Sequence, residues 1–472
     1  MARMVVHGGQ VVLPQQVIQA DVLIDNEKIV GIVAPYTAQW TDAQLIDAEG
    51  CYVFPGIVDA HTHIQLDTGI FQTDDDWEIG TKVAAYGGVT TVVDFATQFE
   101  GQPLPQALEN RLTECQPAII DYALHMMITD LNRDQEQAER DLAELRDLGI
   151  PSIKLYTTYR PNYYADDATI LHTLRAMPND MLALFHCEND DLVADAIKRL
   201  EAQGNTGWQF HGQARPAEAE TEAALRVANL AQIAGHKPIY IVHCSSADTL
   251  HALDELRDRT NANWLYFESC IQYLVLNDHQ YNGEHPEHFI LQPPLRSETS
   301  RQAEQDAFLA GRFDVLSTDH CDYSLRKKNT ENDFRVTAGG LPGLETLLPL
   351  TYTLIHNAVD QGKISLHSGL LRLAQMLAQR PAQIFGIAPQ KGAIQIGADA
   401  DLVIYDPSPQ VTITQDSLHT IGGYSPYEGM TVQGCVKTTI GRGEILVQDG
   451  EFMGTVGRGQ FLKGKPFQPV ER

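Results

Sequence analysis

The stretch Phe54-Pro55-Gly56-Ile57-Val58-Asp59-Ala60-His61-Thr62-His63 decides the fold. Its apolar run ends in two histidines two positions apart. In a strand, residues i and i+2 share a face, so His61 and His63 would present two imidazoles side by side where the strand ends. Two neutral imidazoles held that way make half of a metal site. Two surface histidines leaving a strand would look the same, so the rest of the chain has to decide.

From Gly56 onward the chain alternates strand, polar turn and helix. The apolar runs predict strands at Ile57–His63, Val89–Phe95, Ile119–Met126, Pro151–Tyr156, Met181–His186, Pro238–His243, Asn263–Glu268 and Phe313–Asp319. Helical periodicity fills the gaps, most clearly at Arg133–Leu148, Glu218–Ala234, Ala247–Thr260 and Ser300–Ala310. Eight strands alternating with helices predict an α/β fold, a (β/α)8 TIM barrel. An open doubly wound sheet would call for a glycine-rich phosphate loop after an early strand. Gly87-Gly88 precedes its strand and reads as a turn.

The barrel carries a sharp expectation, because the active sites of such barrels sit where the strands end. Those ends supply His61 and His63 on the first strand, Lys154 on the fourth, His186 on the fifth, His243 on the sixth and Asp319 on the eighth. Each alone has an ordinary structural explanation. Six at one mouth do not. Cys187 and Cys244 follow their histidines and should point the other way, into packing. His320 is left out for the same reason.

The two ends of the chain read differently. Val5-Val6, Val11-Val12, Asp21–Ile24 and Ile29–Val33 are short β runs, with turn chemistry at His7-Gly8-Gly9 and Asp25-Asn26. The β texture returns at Asp401–Tyr405, Val432, Val436–Ile440 and Glu444–Val447. The expected division is therefore a small β-sandwich built from residues 1–55 and 392–456 around a barrel at 56–391. The tail, 457–472, is expected to leave the domain and reach a neighbouring subunit.

Composition narrows the partners. Lys plus Arg is 34 and Asp plus Glu is 62, a formal charge of −28, which repels phosphate backbones and anionic membranes. Neither nucleic acid nor membrane is expected as a partner. Seven irregularly spaced cysteines with no Cys-x-x-Cys read as free thiols in a reducing compartment. The first residues show no apolar signal region, and no run approaches the roughly 20 residues of a membrane span. The expected location is the cytoplasm.

Lys154 lies inside the apolar strand Ser152-Ile153-Lys154-Leu155-Tyr156. A buried ammonium beside two cations is expensive, so the lysine should be neutral or chemically changed. Addition of carbon dioxide gives a carbamate, whose two oxygens can each hold one divalent ion. Asp319 can bind metal and also shuttle a proton. Tyr159, five residues past Lys154 on the loop above the mouth, is placed to donate to an oxyanion. Its plainer reading is an aromatic packed on the rim.

These residues resemble the dihydropyrimidinase and hydantoinase group of cyclic amidohydrolases, nearly end to end. The likeness rests on Asp59-Ala60-His61-Thr62-His63, Lys154-Leu155-Tyr156-Thr157-Thr158-Tyr159, His186-Cys187-Glu188-Asn189, Ile241–Ser245, Glu268–Leu274, Pro293-Pro294-Leu295-Arg296, Thr318-Asp319-His320-Cys321 and Gly340–Glu345. It implies two zinc ions. His61, His63 and Asp319 would hold one, His186 and His243 the other, with carboxylated Lys154 as the bridge and Tyr159 polarising the substrate. It implies opening of a hydantoin or 5,6-dihydropyrimidine to an N-carbamoyl amino acid, and a homotetramer (or homodimer) that exchanges C-terminal segments.

The chain departs from that pattern twice. Gln292 stands before Pro-Pro-Leu-Arg where relatives carry serine, and Gly339 stands before Gly-Leu-Pro-Gly where they carry asparagine. Both belong to substrate-binding segments, so the ring itself is in question. Allantoin or another cyclic imide is the alternative. Dihydroorotate is disfavoured, because Ile64-Gln65-Leu66-Asp67 lacks an arginine for its carboxylate. A non-catalytic scaffold would have lost ligands that are all present here, and a one-metal deaminase would lack Lys154.

Overall fold

The computed structural model describes residues 3–37, 40, 42–130 and 134–470. Eight parallel strands form the central sheet: β1 (Ile57–Asp59), β2 (Val89–Thr97), β3 (Asp121–Met127), β4 (Ser152–Tyr156), β5 (Leu182–His186), β6 (Ile239–Ile241), β7 (Leu265–Cys270) and β8 (Val315–Ser317). Each pairs with the next in sequence. The strands are buried along nearly their whole length, as expected of a parallel sheet covered by helices. All eight expected strands are present; the first, sixth and eighth stop short of their histidine or aspartate, which sits on the turn beyond.

Side-chain and backbone hydrogen bonds together close the barrel. The carboxylate of Asp59 on β1 accepts from Thr318 N at 3.3 Å and from Thr318 Oγ1 at 2.6 Å, just past β8. His63 N donates to His320 O at 2.8 Å. This seam joins residues some 260 positions apart in the chain.

Helices occupy the expected gaps, at Gln135–Asp147, Ala217–Ile233, Ala247–Thr260 and Glu298–Ala310. The expected start of the first of these, Arg133, lies outside the described residues, as do the initial Met1 and Ala2. The turns that leave β5 and β6 are short because their last residue caps the next helix. Asn189 Oδ1 accepts from Asp191 N and Leu192 N at 3.1 Å each, and Ser246 Oγ accepts from Asp248 N at 3.3 Å. His186 and His243 are thus held between a strand and a capped helix.

The two termini supply one nine-stranded mixed sheet. Its first strand, Arg3–Val12, pairs with Gln44–Asp47 through Met4–His7 and with Tyr52–Pro55 through Gln10–Val11. A bulge between Val6 and Gly9 divides the two halves, so one strand carries two successive partners. His7-Gly8-Gly9 is therefore a bulge and not the expected turn: Gly8 takes φ +73° while the ladder continues past it. Valines and isoleucines from both ends of the chain share the core of this unit.

The tail does not leave the domain. Residues 457–470 run across the barrel floor, the end opposite the histidines. Tyr122 N donates to Gln460 O at 3.0 Å, Leu462 N to Tyr122 O at 2.7 Å and Phe467 N to Asp180 O at 2.7 Å. Leu462 and Phe467 are buried with Tyr240 and Phe385. Apolar side chains at these two positions explain why a stretch rich in Gly, Lys and Pro packs down. Among the described residues no helix is long and apolar enough to cross a membrane.

Candidate metal centre

The six residues expected at the mouth line one cavity of about 500 Å³, together with Tyr159, Gln292 and Gly339. The ligand atoms of His61, His63 and Asp319 lie within 4.8 Å of one another. Asp319 Oδ1 is 3.2 Å from His61 Nε2 and 3.1 Å from His63 Nε2. His186 and His243 face this trio, with ring centroids 4.5 Å apart and that of His243 5.5 Å from His61. Lys154 points inward between them and is 1 % exposed.

Several of these residues hold costly backbone conformations. His243 has φ +39°, Asp319 +52° and Tyr159 +75°. Left-handed backbone is unfavourable for such side chains and recurs where geometry serves function. Here it turns each side chain back over the barrel mouth directly after its strand.

Glu268 orients the His61 imidazole and fixes the backbone of His243 at the same time. Its Oε1 lies 2.5 Å from His61 Nδ1 and accepts from His243 N at 3.0 Å, while Oε2 accepts from Tyr240 OH at 2.7 Å. With Nδ1 engaged, His61 Nε2 turns to the cavity, where it is buried and forms no hydrogen bond; His63 Nδ1 is likewise buried and unsatisfied. Glu188 does for His186 what Glu268 does for His61, at 2.8 Å from Nε2, and is itself paired with Arg215. A carboxylate behind an imidazole whose other nitrogen is left open is the arrangement that orients metal-binding histidines.

The electrostatics agree with that donor set. Burial pushes His61 and His243 well below the ordinary imidazole value, and lowers His186, so these rings are neutral and able to ligate. Burial would raise Asp319, but the polar contacts with His61 and His63 and the nearby Lys154 outweigh it and hold the carboxyl below its ordinary value. Burial drives the Lys154 ammonium down to about 8 against the pull of Asp319 and Glu268. Among the described residues Lys154 has no carboxylate partner within 4 Å and lies 5.3 Å from the ring centres of Phe95 and Tyr156. The Tyr159 phenol is raised by burial and stays a donor.

Three residues of the site carried no expectation: Glu268, Glu188 and Arg215. Glu268 was accessible to the strand-end rule, since it lies near the end of β7. Arg215 had no such signal, sitting in a loop between helices. Cys187 and Cys244 are buried in the core as expected. His320 points away from the mouth, to Asp75 at 3.1 Å and the amide of Gly343 at 3.1 Å.

Comparison with known proteins extends the picture. Residues 52–446 match the Amidohydrolase family. The chain is 38 % identical over 473 residues to a D-phenylhydantoinase of Escherichia coli O1:K1 / APEC, covering 99 % of each. The structure superposes on dihydropyrimidinase from Brevibacillus agri NCHU1002 with a TM-score of 0.92 at 34 % identity, covering 99 % of both chains. It superposes on L-hydantoinase from Arthrobacter aurescens with a TM-score of 0.87 at 26 % identity, covering 98 % of this chain and 100 % of the other. The chain belongs to the amidohydrolase family, and within it to the cyclic amidohydrolases that include the hydantoinases and dihydropyrimidinases.

Proposed function

We propose that this enzyme uses two divalent metal ions, zinc first among them, to open the amide bond of a cyclic ureide or imide, giving an N-carbamoyl amino acid from a hydantoin or 5,6-dihydropyrimidine. The observation that carries the reading is the buried, unsatisfied Nε2 of His61 aimed at the Asp319 carboxylate in a cavity shared with His63, His186 and His243. His61, His63 and Asp319 would hold one ion, His186 and His243 the other, with Lys154 between them as a carbamate. To form it, the neutral amine adds to the carbon of carbon dioxide: one N–C bond forms, one C–O π bond opens onto its oxygen, and one proton leaves the nitrogen to solvent. This change removes the unpaired buried cation and supplies two anionic oxygens.

Bound there, the ions supply Lewis acidity and activate water near neutral pH. The chain's own residues do the rest. Tyr159 donates its hydroxyl proton in a hydrogen bond to the carbonyl oxygen as negative charge builds there. Asp319 takes a proton from the attacking water and returns it to the departing ring nitrogen as the C–N bond breaks. Glu268 and Glu188 keep the imidazoles fixed throughout. Leu66, Phe71, Tyr163 and Phe334 form an apolar wall of the cavity that suits a hydrocarbon or aryl group on the ring.

The catalytic unit in this reading is 56–391, with the β unit from 1–55 and 392–456 as its support. The assembly is a homotetramer, or a homodimer, and native mass measurement discriminates. All seven cysteines are unpaired, which fits a cytoplasmic protein. The test is ring opening by the zinc-loaded enzyme, with bicarbonate, of dihydrouracil, hydantoin, a 5-aryl hydantoin, allantoin and succinimide. Turnover of hydantoins or dihydrouracil is expected. Turnover of allantoin or succinimide alone would favour the second reading, which Gln292 and Gly339 motivate; no turnover of any ring would remove both.

A further inference from the structure

Gln292 and Gly339 sit on different loops, 47 positions apart in the chain, and both line the catalytic cavity. They meet. A Cβ placed on Gly339 would fall 1.8 Å from Gln292 Oε1 and 2.5 Å from both Cδ and Nε2. The carboxamide of Gln292 therefore fills the notch that Gly339 leaves by having no side chain. The two departures from the family pattern are one change: a residue with a Cβ at 339 evicts the glutamine head, and the glutamine head excludes a residue with a Cβ.

The surrounding backbone is held firmly. Gly340 N donates to Ile290 O at 3.0 Å, and buried Lys328 donates from Nζ to Ile290 O at 2.7 Å and Gly340 O at 2.5 Å. The loops are clamped on either side of the pair. Yet among the described residues no hydrogen bond engages the Gln292 carboxamide, although the side chain is only partly exposed. A donor and an acceptor side by side, positioned at a cavity wall and uncommitted, are arranged for a ligand.

We infer that Gln292 is a specificity-determining residue that reads the ring's cis-amide edge through two hydrogen bonds, and that Gly339 is required to seat it. This rests on the ring-opening reading above. The chemistry is complementary. An amide inside a five- or six-membered ring is forced cis, so its N–H and C=O point the same way. A primary carboxamide presents a C=O and an N–H with the same spacing. The two can pair through parallel hydrogen bonds, donor to acceptor and acceptor to donor. A methyl group on the ring nitrogen removes one of the two bonds and adds bulk against the notch.

The experiment compares hydantoin, 1-methylhydantoin and 3-methylhydantoin as substrates for the zinc-loaded wild type, Gln292→Ala, Gly339→Ala and the double variant, with thermal midpoints measured in parallel. The wild type should discriminate against one methylated ring by about tenfold, the worth of a net hydrogen bond or two. Gln292→Ala should reduce that ratio to near one. Gly339→Ala should do the same with an unchanged thermal midpoint, because what it displaces is the mobile end of a side chain. In the Gln292→Ala background Gly339→Ala should add no further change. Selectivity that survives Gln292→Ala, or equal effects of Gly339→Ala in both backgrounds, would overturn the assignment while the wild type still opens rings. A wild type that opens no ring would instead overturn the reading of the site, and this assignment with it.

Discussion

Two lysines are buried at opposite ends of the barrel, and the protein treats them in opposite ways. Lys391, at the floor, is fully paired: its Nζ lies 2.6 Å from Asp121, 2.6 Å from Asp401 and 3.0 Å from Asp399. Burial alone would lower its pKa, but these carboxylates outweigh burial and raise it. Lys154, at the mouth, has no such partner, and burial pushes it down to about 8. The floor network ties β3 to the β unit, since Arg442 also reaches Asp121 at 3.0 Å and Glu27 at 2.6 Å. Both clusters bury a lysine with a carboxylate nearby, but the floor answers it with three aspartates and the mouth surrounds it with imidazoles. The floor spends its groups on holding the chain together, and the mouth leaves its own open for something to bind.

That contrast can be broken experimentally, and the largest effect should come at the mouth. Lys154→Ala should cut kcat/KM for ring opening by about 10^4-fold, roughly 5 kcal/mol of barrier. Its metal-free thermal midpoint should not fall, because the substitution deletes an unpaired buried cation. Wild-type turnover in this variant would end the bridging role. Lys391→Met should do the reverse, costing about 3–5 kcal/mol in denaturant unfolding by leaving buried carboxylates without their cation, with kcat of the folded fraction intact. A drop in kcat that exceeds the loss of folded protein would mean that the two ends are coupled.

Smaller effects sharpen the same comparison. Glu268→Gln should weaken metal affinity by about 10- to 100-fold, read by competition with a chelator, since the carboxylate orients His61 without touching the cavity. Unchanged affinity would show that the imidazole is held by packing alone. The smallest effect concerns alkaline pH. The pKa of Lys391 is raised by folding, so its stabilisation is complete below the ordinary lysine value near 10.4 and is lost as pH rises beyond it toward the folded value. Stability of the wild type should therefore decline above about pH 10.4, and Lys391→Met should lack that component of the decline. Parallel alkaline profiles for the two proteins would argue against it.

Much of this was legible in the sequence, for physical reasons. Barrel strands buried on both faces are continuous apolar runs, and the apolar run before His61 and His63 leads both to the mouth, although the strand itself ends at Asp59. A strand that ends on histidine or aspartate reveals its place at the mouth. What stayed hidden depends on contacts between distant residues. Glu268 meets His61 across 207 positions; its place near a strand end puts it at the mouth, but its partner is set by tertiary contact. Arg215 lies in an interhelical turn. Gln292 and Gly339 read as two separate departures because their contact is tertiary. The bulge at Gly8 looked like a turn because glycine permits both, and only the ladder that continues past it decides. The tail misled through composition: two apolar anchors, Leu462 and Phe467, outweighed the Gly, Lys and Pro around them.

The seam between β1 and β8 has a consequence for how the enzyme comes into being. Asp59 grips Thr318, and the next residue is Asp319. A growing polypeptide that has emerged only as far as its seventh strand has an open edge beside Ile57 and only His61 and His63 of the trio that Asp319 completes. Sealing the cylinder and completing that trio are one docking event. The trio of His61, His63 and Asp319 is therefore complete only when about two thirds of the polypeptide is available, and it is completed at the same seam that shuts the barrel.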